Sequence, residues 1–560
     1  LSAGTVKPGP DGAGSSRDDA PLILLGIALF AAVALLLVLA TDLTFFQDTW
    51  DFLLQRQGFN ADAYLAPHNE HIVVAPVAIE QLLVGLFGTT SAMPEFVVLA
   101  LMLAGAAALL FVYVRRRLGP WPALLAALLL LFLGPAWQVL LWPFEIGFVG
   151  SVLFGIAMLL ALENDDRRWD RAACAFLALS VAFSSLGLAF LVGAAVDVLQ
   201  RRRSRGWGRA YVVAVPLVLY AAWYAGWGHS AENHLSAHNV LTSPRYLLEG
   251  VASSLGSLLG LSGGSVAGTG VSWGALLLVA AVVLVAYGQA RKRGFSSRLW
   301  PVLATTVTFW LLAGFSYIPG READSSRYLY AGAALVLLLA ADLMRGIRLG
   351  RAALLVAGVV TIAAVASNLV PLENGRDWLQ AQSVLTRADL AAMDIAERTI
   401  SPSFALTPEI AGNAFLIDVD ETDYAALRRD HGTPAYDVEE LLGASETARL
   451  QADSVLAQAL PLSTLTHLGG YDPHPTGVGR CLTLPAGGAV ALSPGTTLIE
   501  LAPGPDAAFS LRRFSRGEYP VATEGAAGGS MTTIRVPRDA APQVPWHLRV
   551  QATQQARVCH

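Results

Sequence analysis

Long apolar runs alternate with short, arginine-rich gaps through the first two thirds of this chain. Runs of bilayer length fall at about 21–41, 94–114, 122–141, 146–163, 209–227, 271–289, 299–317, 328–344 and 351–370. Each comes close to the roughly 20 residues a helix needs to cross a hydrocarbon core. The stretch 172–199, broken at Ser184-Ser185-Leu186-Gly187, is too long for one span and too short for two. It predicts a pair of short helices forming a hairpin inside the bundle, which gives about eleven membrane helices in all. Ile72 to Phe87 is also apolar but holds Pro76, Glu80 and Gln81. A span there would carry Arg115–Arg117 to the outer side, so an amphipathic helix lying on the outer surface is predicted instead. Residues 42–93 then form one large external loop.

After Val370 the pattern changes. Residues 371–475 are polar with apolar positions at helical spacing, as in Asp423-Tyr-Ala-Ala-Leu-Arg-Arg and Val438 to Ala459. From 476 to 560, short alternating segments such as Cys481-Leu-Thr-Leu, Thr497-Leu-Ile-Glu-Leu and Trp546-His-Leu-Arg-Val sit between Pro/Gly turns and predict a small β-sandwich. Cys481 and Cys559 bracket it, and in an oxidising compartment they are expected to form a disulfide. Cys174 falls in an apolar helix and reads as a small filler.

Composition agrees with the pattern: 54% of the 560 residues are hydrophobic and 14% charged, and the mean hydropathy is +0.51. That excludes an ordinary soluble domain and places the chain in a membrane. Arginine sets the orientation. Arg115–Arg117, Arg167, Arg168, Arg171, Arg201–Arg203, Arg205, Arg209, Arg291, Lys292, Arg293, Arg298, Arg345, Arg348 and Arg351 fall in one set of loops, while Arg56, Arg245, Arg321 and Arg327 fall in the other. The positive-inside rule puts the N-terminus in the cytoplasm and the C-terminal portion outside a multi-pass plasma-membrane protein. Residues 1–20, rich in Gly, Ser, Pro and Asp, are expected to be disordered. Arginine, alanine and glycine far outweigh lysine, which suggests a bacterial source.

The candidate chemistry gathers in the external loops. Asp48 and Asp51 follow the first span, and Pro67-His68-Asn69-Glu70-His71 comes a little later. Ionisable groups beside a bilayer are costly and are more often functional than decorative. Asp48 and Asp51 would share a face if Phe45–Leu54 is helical; the bland alternative is an interfacial helix whose Phe45, Phe46, Trp50 and Phe52 lie on lipid. His68, Glu70 and His71 could orient a substrate or protonate a leaving group, or Glu70 and His71 could hold a divalent ion with Asp48; otherwise Asn69 simply caps a helix. Arg321 and Arg327, at the mouth of a span beside Tyr328 and Tyr330, could grip a phosphate, with snorkelling or pairing to Glu322 or Asp324 as the alternative. Glu145, in the turn after Trp142-Pro-Phe, faces the same side, as does the histidine-rich loop His229–His238, long enough for a lid. No Gly-rich nucleotide loop is evident and the basic residues are not gathered on one domain, which argues against a nucleotide-sugar donor and against nucleic acid.

This order of parts resembles the GT-C superfamily of integral-membrane glycosyltransferases, in particular the branch near bacterial protein O-mannosyltransferases and lipid A aminoarabinose transferases. The resemblance covers about 21–370. It rests on the acidic first external loop, the surface helix leading through Leu86-Phe87-Gly88 and Pro94-Glu95-Phe96 into a span ending Val112-Tyr-Val-Arg-Arg-Arg-Leu-Gly, the helix pair in mid-bundle and the external C-terminal domain. Where the family often has an Asp-Glu pair this chain has Gln47-Asp48, and where it often has His-Pro-Pro-Leu-Tyr it has Pro67-His68-Asn69-Glu70-His71. The resemblance implies transfer of a sugar from a polyprenyl-phosphate donor to a protein, lipid or cell-wall glycan acceptor outside the membrane. It makes Asp48 the expected base, with Asp51 and Glu145 in reserve, because an acceptor hydroxyl is a poor nucleophile until a carboxylate takes its proton. A flippase or transporter for a lipid-linked sugar, and a non-catalytic scaffold for cell-envelope assembly, remain the alternatives.

Overall fold

The computed structural model describes residues 15–164, 166–264, 272–291, 295–401, 403–412, 418–460, 463–467, 481–485, 487–495, 497–501, 508–521, 531–536, 538–551 and 556–559. Among the described residues, twenty α-helices run in chain order. They are α1 Ser15–Leu39, α2 Thr49–Gln55, α3 Ala61–Leu65, α4 Val74–Phe87, α5 Met93–Leu118, α6 Pro120–Leu131, α7 Trp137–Leu141, α8 Ile146–Leu162, α9 Arg167–Phe183 and α10 Gly187–Arg205. The rest are α11 Tyr211–Gly226, α12 Ala237–Leu258, α13 Trp273–Arg291, α14 Leu299–Phe315, α15 Ser326–Leu343, α16 Arg351–Ala396, α17 Pro408–Ala411, α18 Glu421–His431, α19 Val438–Gly443 and α20 Glu446–Ala459. The chain divides into two compact units. The first comprises 1–41, 58–82 and 93–378, and the second 42–57, 83–92 and 379–560.

In the first unit, α8 and α15 are buried along most of their length, with Ala331, Ala333, Ala334, Leu335 and Leu338 wholly enclosed. Among the described residues, five helices are long and apolar enough to cross a membrane: Asp19–Leu39, Met93–Leu118, Pro143–Leu162, Ser326–Leu343 and Arg351–Ala396. A sixth is added if Pro120–Leu131 and Gly134–Leu141, bent by 42° at their junction, count as one span. This is fewer than the eleven expected from the sequence. The runs 209–227, 271–289 and 299–317 fold as shorter apolar helices. The helix pair breaks at Ser184 as expected, but α9 and α10 are full helices of 17 and 19 residues, and charges at Arg167, Arg168, Asp170, Arg171, Asp197 and Arg201 interrupt their apolar runs. The expected disorder of 1–20 lies outside the described residues for 1–14, and from Ser15 the chain is helical. Lys292 and Arg293 also lie outside them.

Several arginines at helix ends meet acidic partners. At one end of the first unit, Arg117 pairs with Asp342 and Glu163, both at 2.6 Å. Arg116 and Arg298 join Glu163 at 2.8 and 3.5 Å, and Arg209 pairs with Asp170 at 2.5 Å. At the other end the loops around His71, Ser185, Glu232 and Arg321 converge. Arg116, Arg117, Arg209 and Arg298 thus have counter-ions beside them, which offsets the cost of enclosing them. The surface helix α4 buries Pro76, Val77 and Glu80 and exposes Leu82, Leu86 and Phe87. Glu80 faces inward while apolar side chains dominate the exposed face, the inverse of a water-facing helix.

In the second unit, α2 packs on α18 with Trp50 wholly enclosed, its Nε1 donating to Phe45 O at 3.2 Å. Phe45, Phe46 and Phe52 are buried as well, so these rings form core and not the lipid-facing belt offered as the alternative. The strands are β1 Ala405–Leu406, β2 Val419–Asp420, β3 Ser463–His467, β4 Cys481–Leu484, β5 Ala489–Leu492, β6 Thr497–Leu501, β7 Ala508–Arg512, β8 Tyr519–Val521, β9 Met531–Arg535, β10 Trp546–Gln551 and β11 Ala556–Cys559. They form a β1-β2 pair, a four-stranded sheet in the order β5-β10-β7-β8 and a five-stranded sheet in the order β3-β9-β6-β11-β4, with every pairing antiparallel. Cys481 stands directly opposite Cys559 in the β4–β11 register, and Cys481 is disulfide-bonded. The Asp453 carboxylate accepts from the backbone N–H groups of Arg513, Phe514 and Ser515 at 2.9–3.1 Å. Arg513 pairs with Asp539 at 2.7 Å with both side chains fully buried. Trp546 and Phe514 are buried, and the Tyr519 hydroxyl donates to Leu450 O.

Candidate functional site

The histidine–glutamate segment is a tight turn, not a helix start. His68 and His71 exchange backbone hydrogen bonds at 3.0 and 2.9 Å, and Asn69 between them has φ +49°. Asparagine tolerates this left-handed backbone better than most residues, which is why it sits here and not as a cap. The turn is fastened from two sides. Ser185, at the break between α9 and α10, donates to Glu70 O at 3.2 Å and accepts from Ile72 N at 3.3 Å. Asn69 O accepts from Glu232 N at 3.1 Å.

The fastened turn presents Glu70 to Arg321, whose Nη1 donates to Oε1 at 2.7 Å. The Arg321 backbone is itself held, its carbonyl accepting from the Tyr246 hydroxyl at 2.8 Å. Glu70 Oε2 is buried without a hydrogen-bond partner. Burial opposes the charged carboxylate, but His71 and Arg321 overcome it and hold Glu70 below the usual carboxylate range. His71 lies 3.8 Å from the same carboxylate. Burial drives its imidazole down to about 4, against the pull of Glu70 and with the help of the Arg321, His68 and Arg327 charges. His71 is therefore neutral at physiological pH and can accept or donate without carrying charge. Its ring meets Phe148 edge-on at 5.6 Å, and Phe148 stacks on Tyr328 at 6.4 Å. His68 meets Phe144 at 5.1 Å.

Arg327 opens α15. It is half-buried, its Nε has no hydrogen-bond partner, and it makes no ion pair among the described residues. Neither Glu322 nor Asp324 neutralises it; Glu322 instead accepts from Gly320 N at 3.0 Å. Arg321, Arg327, Glu70 and Glu145 all act electrostatically on Tyr328. Glu145 is buried at the start of α8. Of the residues singled out in the sequence, the structure thus brings together Glu70, His71, Arg321, Arg327, Tyr328 and Glu145, with His68 on the same turn. Tyr330 is 1% exposed and belongs to the core.

Beside this cluster is a cavity of about 190 Å³, with Glu70, His71, Ser185 and Tyr328 at its polar side and Phe148, Leu186, Leu188, Phe309, Leu312 and Phe315 among its apolar walls. A cation pair and a polar rim next to an apolar slot suit an amphiphile with an anionic head.

Asp48 and Asp51 belong to the second unit. Asp48 is the N-cap residue of α2, so the helix begins just after it and not at Phe45. Gln47 before it has φ +46°, a strained backbone for a non-glycine residue. Asp51, in the first turn, lies 3.7 Å from Arg56 Nε.

One set of ligand atoms was not foreseen. Glu70, Glu232 and His234 bring their ligand atoms within 4.8 Å of one another, and His234 lies 3.1 Å from Glu232. Two carboxylates and an imidazole can hold a divalent ion. The set shares Glu70 with the sequence candidates and adds two residues of the histidine-rich loop. The signal was the density of His and Glu in 229–238, which fits no ligand spacing because the third donor comes from a distant turn.

No family model matches the chain, and no curated protein matches it. Among solved structures, the chain is similar to ArnT from Cupriavidus metallidurans bound to undecaprenyl phosphate, with 13% identity, a TM-score of 0.43, and coverage of 74% of this chain and 90% of that one.

Proposed function

We propose that this protein is a glycosyltransferase of the GT-C kind, moving a sugar from a polyprenyl-phosphate donor to an acceptor on the external face of the plasma membrane. The observation that carries the reading is Arg327, a half-buried guanidinium with no carboxylate partner among the described residues, next to the Glu70–Arg321–His71 cluster and an apolar-walled cavity. A buried unpaired cation is costly, and a phosphate that docks there relieves the cost. The apolar walls suit the first isoprene units of the carrier.

In this reading Asp48 takes the proton of the acceptor hydroxyl as its oxygen bonds to the anomeric carbon. The bond from that carbon to the carrier phosphate breaks on the opposite face, with inversion. The polyprenyl phosphate leaves with the electron pair, and Arg327 and Arg321 offset its charge. Asp51 and Glu145 are the substitute bases. Glu70 holds Arg321 in place, and neutral His71 and Tyr328 offer hydrogen bonds to the donor head.

The test is sugar release from synthetic polyprenyl-phosphate sugars by purified protein in detergent, comparing wild type with Asp48→Asn and Arg327→Ala. Loss of turnover in Asp48→Asn with unchanged donor binding supports the assignment. Full activity in Asp48→Asn moves the base to Asp51 or Glu145. A folded wild type that turns over no donor overturns the transferase reading in favour of a transporter or scaffold.

A further inference from the structure

A second, larger cavity of about 680 Å³ lies in the first unit, walled by residues the proposed chemistry does not use. It is formed by α7, the C-terminal end of α12 with the loop after it, the start of α13, the start of α15 with the loop before it, and residues 371–378 of α16. Trp137 and Trp378 face each other across one wall with ring centroids 5.5 Å apart and planes tilted by 57°. Asp324, Asn374, Ser253 and Ser262 also line it, and the rest of the wall is largely glycine, serine and proline. Gly375 is required by this geometry: a Cβ there would lie 2.3 Å from the Trp137 ring.

The lining selects among ligands. A lipid tail wants continuous apolar walls, and these are interrupted by hydroxyl, amide and carboxylate groups. An anionic headgroup wants cations, yet among the described residues no lysine or arginine lines the cavity and Asp324 contributes a carboxylate. A polyhydroxylated ring fits both features. Its hydroxyls both donate and accept, as serine and asparagine side chains do, and its C–H face covers an indole. The volume falls within the roughly 300–1,000 Å³ of small-molecule sites. The cavity also adjoins the candidate site through the chain itself: Ser326 and Leu329 line the larger cavity, Tyr328 lines the smaller one, and Arg327 lies between them in sequence.

We infer that this tryptophan-walled cavity binds a carbohydrate, and that the acceptor of the proposed transfer is accordingly a glycan. The inference deepens the transferase reading and rests on it only for the word acceptor; binding can be measured without turnover. The test is saturation-transfer NMR on the full chain in detergent, with methyl α-mannopyranoside, methyl β-galactopyranoside and methyl α-arabinofuranoside as probes. At least one glycoside is expected to receive saturation, and Trp378→Ala and Asn374→Ala are each expected to weaken its binding, by about tenfold for the lost indole. Ser262→Trp, which fills the cavity from its exposed lip, is expected to weaken it as well and guards against a misfolded Trp378→Ala protein. No saturation of any glycoside, equal binding in all three variants, or saturation of a serine-containing peptide in their place overturns the inference. Donor hydrolysis by the wild type, read in parallel, separates the two failures: hydrolysis without glycoside binding sinks the cavity assignment alone, and glycoside binding without hydrolysis sinks the transferase reading alone.

Discussion

Arg321 and Glu70 are 251 positions apart in the sequence and 2.7 Å apart in the structure. This bond joins the turn at His68–His71 to the loop before α15, with side chains only 13% and 17% exposed. The Glu70–Arg321 pair is thus a structural clasp as well as part of the candidate site. Removing one partner strands a charge that is mostly out of water. Glu70→Ala and Arg321→Ala are each expected to lower stability by about 1–3 kcal/mol, between the values for exposed and buried pairs. The double variant should lose less than the sum of the two. Thermal unfolding in detergent of the four proteins gives the coupling, and strict additivity would sink the clasp.

Arg327 differs from Arg321 in having no partner to lose. Arg327→Ala is expected to leave the unfolding temperature within a degree or two while raising the donor dissociation constant by roughly ten- to a hundredfold, the worth of a charge-assisted hydrogen bond. Arg327→Lys should restore part of the affinity, since it keeps the charge but loses the planar fork. Binding of a short-chain polyprenyl phosphate, followed by calorimetry, gives both numbers. Unchanged affinity in Arg327→Ala would remove the phosphate from this position.

The membrane class, the break at Ser184 and a disulfide at Cys481 were legible in the sequence, because each rests on local pattern: apolar run length, a Ser-Ser-Leu-Gly interruption, cysteines bracketing a run of short strands. What stayed hidden is set by distant contacts. Hydropathy alone could not tell that the 299–317 run closes as a 17-residue helix, or that Asn69 takes a left-handed turn. It could not show that Glu232 and His234 meet Glu70. Trp137 and Trp378 were passed over for the same reason, since nothing local links residues that only a folded bundle brings together.

The disulfide offers a check on the second unit. With Cys481 held to the opposite strand of its sheet, reduction or Cys481→Ser should destabilise the C-terminal strands by about 2–4 kcal/mol, the usual effect of closing a long loop. Hydrogen exchange of β4 and β11 with and without reductant measures it. Equal protection in both states would show that the sheet hydrogen bonds hold these strands unaided.

Glu80, on the surface helix and outside the spanning segments, gives the clearest pH dependence. Its side chain is 7% exposed and hydrogen-bonded to that of Glu95, with no cation paired to it among the described residues. Burial raises its carboxyl to about 7, with the Glu95 hydrogen bond acting in the other direction. In the unfolded chain the same group ionises near 4.5. Between these values the folded protein holds a proton that the unfolded chain has released, so stability is greatest in acid and falls as pH rises through 7. The full difference is about 3 kcal/mol at most. Unfolding temperature in detergent should therefore decline from pH 5 to pH 8, and Glu80→Gln, which keeps a neutral hydrogen-bonding group, should flatten the decline and stabilise the protein at pH 8. A slope that is unchanged in Glu80→Gln would assign the pH dependence to another group.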